Sequence, residues 1–216
     1  MSILVTGFEP NDDGLNASKI LIESLRDDPP QQLLDFRDRI HFAVMPPSTQ
    51  QLRAAFLEQL SRYKPAYCVF TGQAPGRNKI TLERLATNLK DFGSSDGEGS
   101  QPQGDLIEAE GAAAYWSSLP NQAELLERLS GSEIPAAFSN HGGNHLCNQL
   151  LYHGLHHAHC MGINLKCGFM HLPPLPIQAQ KQWLGTPFIP LSMARDALAL
   201  VLVELAGQLP ILQQHG

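Results

Sequence analysis

Short apolar runs alternate with amphipathic segments along most of this 216-residue chain, and that alternation limits the possible folds more than any single motif. Ile3 to Thr6 is a brief apolar run ended by Gly7, the pattern of a buried strand. Ala17 to Arg26 follows with apolar residues at 17, 20, 21 and 25, the stripe of an amphipathic helix. Ile40 to Met45 reads as a second strand, stopped by Pro46-Pro47. Ser48, with Gln51 three residues on, has the form of a capping box opening a helix that buries Leu52, Ala55, Phe56 and Leu60. Ala66 to Thr71 is a third strand, and Ile80 to Asn88 is either extended chain or a short strand. Asn121 to Leu129 reads as a helix, Ile134 to Phe138 as a strand and Gln149 to His156 as a helix. Ile163 to His171 is a further strand, ended by the Pro-rich Leu172–Pro176, and Ser192 to Leu205 is a closing helix. Such a pattern predicts one α/β domain over residues 1–216: a three-layer α/β/α sandwich with a mainly parallel open sheet.

The bulk numbers exclude several classes. Fifteen basic against 21 acidic residues give a net charge of −6, and no basic run offers a nucleic-acid or anionic-membrane surface. No apolar stretch approaches the roughly 18 residues of a membrane span. Met1 to Gly7 begins as a strand without a charged leader, so a cytoplasmic location is expected. Cys68, Cys147, Cys160 and Cys167 have neither metal-site nor disulfide-framework spacing, and free thiols are expected. There is no Gly-x-Gly-x-x-Gly and no phosphate-loop Lys, so no cofactor is expected.

One cysteine stands apart. Cys147 lies in Ser139-Asn140-His141-Gly142-Gly143-Asn144-His145-Leu146-Cys147-Asn148, between an apolar strand and a helix. A thiol at a helix N-terminus is expected to have a lowered pKa, and free N–H groups there suit an oxyanion. A cysteine nucleophile needs a base and a group that orients the base. His171 closes a strand before a rigid turn and is the best base. It is 24 positions from Cys147, but both follow strands and can meet at the carboxyl edge of the sheet. Glu83 fits the third place, although spacing alone does not select it over other acidic residues.

Four segments together resemble the pyroglutamyl peptidase I family of cysteine peptidases. They are Val5-Thr6-Gly7-Phe8-Glu9-Pro10, Gly72-Gln73-Ala74-Pro75-Gly76-Arg77 running on through Glu83-Arg84 to Asn88, Ser139 through Asn148, and Gly168-Phe169-Met170-His171-Leu172-Pro173 with Leu175-Pro176. They span nearly the whole chain in the family's order. The resemblance implies removal of an N-terminal pyroglutamyl residue from a peptide or small amide, with Cys147 as nucleophile, His171 as base and Glu83 as third member. It implies the same open sandwich, no metal or cofactor, and a homo-oligomer, often a tetramer. Phe8, Asn11, Gln73 and His145 fall at its substrate-binding positions.

Some of those positions depart from the family pattern. Asn11-Asp12-Asp13 stands where the family usually has Phe-Gly-Gly, and His145 where it has an aromatic residue. Gly93 stands where an Arg near the site is common, and His141-Gly142-Gly143-Asn144 replaces Thr-Ala-Gly-Thr. Polar side chains stack less well on a flat lactam, so a different small acyl group is the second reading, and the arginine missing at Gly93 makes a non-catalytic binding homologue the third.

Other features have plainer readings. Cys68 and Cys167, inside strands, are core residues, and Cys160 is read in the same way near a helix end. The Gly-, Ser- and Asp-rich segment from Gly93 to Gly104 is the most loop-like and suits a flap over a site. Six histidines fall between 141 and 159. His153 and His157 have a metal-sharing spacing, but no Glu follows His153 as a zinc-peptidase motif requires, and a partly exposed helix face is the better reading.

Overall fold

The computed structural model of the chain describes residues 1–11, 14–181 and 184–210. Asp12 and Asp13, part of the first departure from the family pattern, lie outside them. The elements run β1 (Ile3–Phe8), α1 (Ala17–Asp27), a 3-10 segment (Gln31–Arg39), β2 (Ile40–Met45), α2 (Leu52–Tyr63) and β3 (Tyr67–Gln73). Then come β4 (Ile80–Glu83), β5 (Leu85–Thr87), β6 (Ala114–Trp116), α3 (Gln122–Gly131), β7 (Ala136–Ser139) and α4 (Leu146–Met161). The last are β8 (Lys166–Leu172), α5 (Pro176–Lys181) and α6 (Leu191–Gly207). The ambiguous 80–88 stretch is two strands, one in each of two sheets.

The main sheet has the order β2-β1-β3-β8-β4-β7. Every pairing is parallel except β4 with β8. The reversal has a simple cause. Only residues 74–79 separate β3 from β4. A parallel return needs a crossover of about a dozen residues or more, so the chain must turn back. β5 and β6 form a small antiparallel ladder beside this sheet.

The strand alternation sorts two cores. Ile3, Val5, Val69, Met170 and Leu172 pack with Leu21, Ile22 and Leu25 of α1, Leu125 of α3 and Leu198 and Leu202 of α6. Leu4, Cys68, Phe70, Cys167 and Phe169 pack with Leu52 and Phe56 of α2 and Leu150 and Tyr152 of α4. Cys68 and Cys167 are buried as expected, whereas Cys160 is exposed in the last turn of α4. All four thiols are free. Among the described residues no helix is long and apolar enough to cross a membrane.

Two local expectations are corrected. Ser48 Oγ does accept the Gln51 N–H, at 3.2 Å, but the Gln51 side chain reaches forward to Glu98 rather than back to the cap. The 93–104 segment is not a free flap. Asp96, buried, accepts the N–H groups of Thr49 at 2.8 Å, Glu98 at 3.0 Å and Ser100 at 2.9 Å. Gly97 N–H donates to Pro47 O at 2.7 Å. A buried carboxylate that accepts three backbone N–H groups holds this loop through charge-assisted hydrogen bonds.

Candidate active site

Register sets the site. On β8, Cys167, Phe169 and His171 point to the α4 side, and Gly72 of β3 pairs with His171. On β4, Thr81 lies opposite His171 and Glu83 opposite Phe169, so Thr81 and Glu83 share that face. His171 Nδ1–H donates to Glu83 Oε1 at 2.9 Å, and Thr81 Oγ1 donates to the same oxygen at 2.9 Å. The Nδ1 bond leaves Nε2 as the imidazole nitrogen available for proton transfer.

Cys147 arrives by a route the sequence did not show. β7 runs parallel to β4 and therefore opposite to β8, so its carboxyl end lies at the level of Phe169. Residues 140–145 carry the chain back along the sheet. Gly142 passes beside Glu83 and His171, where a Cβ would lie 3.8 Å from Glu83 Cγ and 3.9 Å from His171 Cε1. Gly143 has φ +79°, a left-handed conformation that favours glycine. α4 then opens at Leu146, three residues earlier than the sequence suggests, with Cys147 in its first turn. A Cβ on Gly72 would lie 2.7 Å from Cys147 Sγ. Glycine at 72 is what lets the thiol rest against β3, one pairing away from His171.

The start of α4 is pinned but uncapped. Asn148 accepts the Thr87 N–H at 2.9 Å and donates to Thr87 O at 2.9 Å and Leu89 O at 3.1 Å. No side chain caps the helix at His145, so its first-turn N–H groups remain available to a developing oxyanion.

The expected lowering of the thiol pKa does not occur. Burial, followed by the charge of Glu83, pushes the Cys147 thiol up to about 12, against smaller opposing effects of Arg77 and of its own backbone N–H. Burial also lowers His171, with Glu83 opposing. At Glu83, burial pushes upward but is outweighed by the hydrogen bond and charge of His171, then by the nearby Ser139 hydroxyl and the charge of Arg77, so its carboxyl stays below the usual range. The resting pair is therefore a neutral thiol beside a neutral imidazole held by a carboxylate.

A cleft of about 540 Å³ opens beside Cys147. It collects all four expected substrate-binding residues, Phe8, Asn11, Gln73 and His145, and also Leu146, Gly93 and Ser94. No charged side chain lines it among the described residues. Gln73 Oε1 is fully used: it accepts Ala17 N–H at 2.8 Å and Gln178 Nε2 at 2.6 Å. Gln178 is oriented in turn, because its Oε1 accepts Leu175 N–H at 2.8 Å and its Nε2 also donates to Leu15 O at 2.8 Å. Among the described residues, Gln73 is thus left with its amide N–H groups as the free donors. His145 stacks on Phe92 with centroids 3.9 Å apart, and its Nε2 lies 3.2 Å from Ser94 O. Its polar edge is spent on the 92–94 wall, so it offers a ring rather than an unpaired donor.

Several contributors escaped the sequence reading. Asn148 and Arg77 sit inside quoted motifs but received no role, and Gln178 was not considered. The histidine cluster is also corrected. His153 is buried, with Nε2 accepting from Gln149 Nε2 at 3.3 Å and Nδ1 3.4 Å from Glu108 Oε1. Burial, then the charge of Arg53, pushes His153 down to about 3. His156 meets Tyr115 Oη at 3.0 Å. Among the described residues no group of three His, Cys, Asp or Glu side chains could hold a metal ion.

The comparisons with known proteins agree with one another. The pyroglutamyl peptidase family model matches residues 1–208. A pyrrolidone-carboxylate peptidase of Thermoanaerobacter sp. (strain X514) is 35% identical over 192 residues, 88% of this chain and 89% of that protein. One from Bacillus cereus (strain Q1) is 33% identical over 200 residues, covering 92% and 90%. The crystal structure of Bacillus amyloliquefaciens pyroglutamyl peptidase I superposes with a TM-score of 0.86 at 30% identity, covering 96% of this chain and 97% of that one. Pyrrolidone carboxyl peptidase from Fervidobacterium islandicum AW-1 gives 0.86 at 29% identity, covering 96% and 99%.

Proposed function

The chain belongs to the pyroglutamyl peptidase family of cysteine omega-peptidases, and we propose that it removes N-terminal pyroglutamyl residues with Cys147 as nucleophile, His171 as base and Glu83 as orienting carboxylate. The observation that carries the assignment of roles is the 2.9 Å bond from buried His171 to buried Glu83, beside a thiol seated against Gly72.

The resting thiol is neutral, so proton transfer accompanies attack. Cys147 Sγ bonds to the pyroglutamyl carbonyl carbon while its proton passes to His171 Nε2. The imidazolium is stabilised by Glu83, and the oxyanion by first-turn N–H groups of α4. Collapse expels the peptide amine, which takes the proton from His171 and leaves a thioester. Water, deprotonated by His171, then attacks the thioester carbonyl. Pyroglutamate leaves and Cys147 regains its proton.

The cleft suits a flat neutral lactam. Phe8, Leu146 and the His145 ring give it apolar contact, and the free Gln73 N–H groups give a donor for the ring carbonyl. Because the polar edge of His145 is occupied by Ser94, its substitution for an aromatic residue costs less recognition than the sequence suggests. Asn11, exposed at the cleft mouth, is the feature that favours the second reading, a different small acyl group.

The whole machinery belongs to one domain on this reading, acting on a peptide or small amide in the cytoplasm as a homo-oligomer, as the family resemblance implies rather than any contact described above. Incubation with a peptide bearing N-terminal pyroglutamate tests the assignment. Mass spectrometry should show free pyroglutamate and the shortened peptide. Cleavage of only prolyl or acetyl analogues would support the second reading instead. Sedimentation of the purified protein tests self-association.

A further inference from the structure

Arg77 belongs to neither the cleft nor the three residues assigned to chemistry, yet it touches both ends of the machinery. It lies in the 74–79 turn between β3 and β4. Its Nη1 is 2.7 Å from Glu83 Oε1 and also donates to Thr81 Oγ1. Its Nη2 donates to His141 O at 2.8 Å, in the segment that returns the chain to Cys147. One guanidinium therefore ties the carboxylate that orients the base to the loop that delivers the nucleophile. Its planar fork has donors enough for all three oxygens, where a lysine would meet them only as a point charge.

The carboxylate depends on such support. Glu83 is buried, and Oε1 collects Arg77, Thr81 and His171, while among the described residues Oε2 has no hydrogen-bond partner. A buried ionised carboxylate is costly unless it is paired and hydrogen-bonded. Arg77 supplies the only full positive charge in contact with it among the described residues. The titratable or charged groups facing His171 are Glu83 from β4, Arg77 from the turn and Cys147 from α4. Burial is the leading cause of the shift at His171, and the Arg77 charge adds to it in the same direction.

We infer that Arg77 is a positioning residue of the catalytic centre, keeping Glu83 ionised, holding the His171 imidazole neutral at rest, and anchoring the 140–145 segment beside them. The inference rests on the proposed roles of Cys147, His171 and Glu83. Arg77 does not line the cleft, so it should affect turnover rather than substrate binding.

The test compares wild type, Arg77→Met and Arg77→Lys on a pyroglutamyl amide across pH, with Cys147→Ser as control. Wild-type activity that vanishes in Cys147→Ser establishes the nucleophile first; persistence of activity there would overturn the underlying reading, whatever Arg77 does. Given that control, Arg77→Met should lower kcat by roughly 100-fold with KM within about threefold, in the range typical of lost electrostatic positioning. The acidic limb of kcat/KM should move to higher pH, because removing a cation beside His171 makes its protonation easier. Arg77→Lys should restore the limb toward its wild-type position and recover part of kcat. An unmoved limb in Arg77→Met would overturn the inference, as would a purely KM effect. If Arg77→Met does not fold, Arg77→Gln, which keeps two donors without the charge, takes its place, and an unmoved acidic limb there would overturn the inference.

Discussion

His171 Nδ1 lies 2.9 Å from Glu83 Oε1, although 88 positions separate the two residues. The antiparallel β4–β8 pairing creates this contact, because it sets Glu83 diagonally across from His171 on one face. The carboxylate fixes the tautomer and steadies the imidazolium that forms during attack. Glu83→Gln keeps the shape and, because Arg77, Thr81 and His171 all meet the Oε1 position, its amide oxygen still accepts Nδ1–H there, so the tautomer is kept and the charge that steadies the imidazolium is lost. Its expected effect is a fall in kcat of roughly 10²–10³-fold, read by steady-state kinetics, with calorimetry showing that the variant is folded.

The thiol pKa near 12 makes a second prediction. Alkylation requires the thiolate. The rate at which iodoacetamide modifies Cys147 should climb about tenfold per pH unit from 7 to 10, without a plateau. Peptide-level mass spectrometry is needed because Cys160 is exposed and reacts as well. A plateau near neutral pH would indicate a thiolate–imidazolium pair at rest.

Gln178 sets the orientation of Gln73 from outside the cleft. Gln178→Leu removes one of the two donors that hold Gln73 Oε1, leaving Ala17 N–H as the other, and takes away the side-chain partner of the Leu175 N–H and of Leu15 O. KM for a pyroglutamyl amide should rise roughly 3- to 10-fold with kcat within about twofold, the scale of one hydrogen bond. The melting temperature should fall too. An unchanged KM would show that the Gln178 bond does not set how Gln73 meets the substrate.

Buried His153 predicts acid sensitivity. Its folded pKa of about 3 lies below the ordinary 6.5, so the unfolded chain binds the extra proton between those values. Stability is at its full value above pH 6.5 and is lost as pH falls toward 3, by up to about 1.4 kcal/mol per pH unit for this group. His153→Gln should flatten denaturant midpoints measured between pH 6.5 and 4, whereas an unchanged slope would mean that other groups dominate.

Much of this was legible in the chain, and the gaps have physical causes. β2 was placed to the residue, because an apolar run bounded by Pro46-Pro47 has little freedom. Cys147, His171 and Glu83 were named because their segments carry a shared pattern. The 3-10 segment at 31–39 has no apolar period to betray it. The antiparallel junction depends on which strand lies between β3 and β4, a fact of pairing that no local pattern contains. The thiol was misjudged because helix polarity is readable in sequence and burial is not. His153 was misjudged for the same reason, since its spacing matches an exposed stripe while its surroundings are α2, the 105–111 segment and α4.

The central claim is that Cys147 carries pyroglutamyl transfer, and one comparison addresses it most directly. Hydrolysis of a fluorogenic pyroglutamyl amide should be measured for wild type beside Cys147→Ser, with circular dichroism showing that both are folded. The account predicts steady turnover by wild type and a loss of at least about 10³-fold in the variant. Equal activity in the two proteins, or none in a folded wild type, would contradict it.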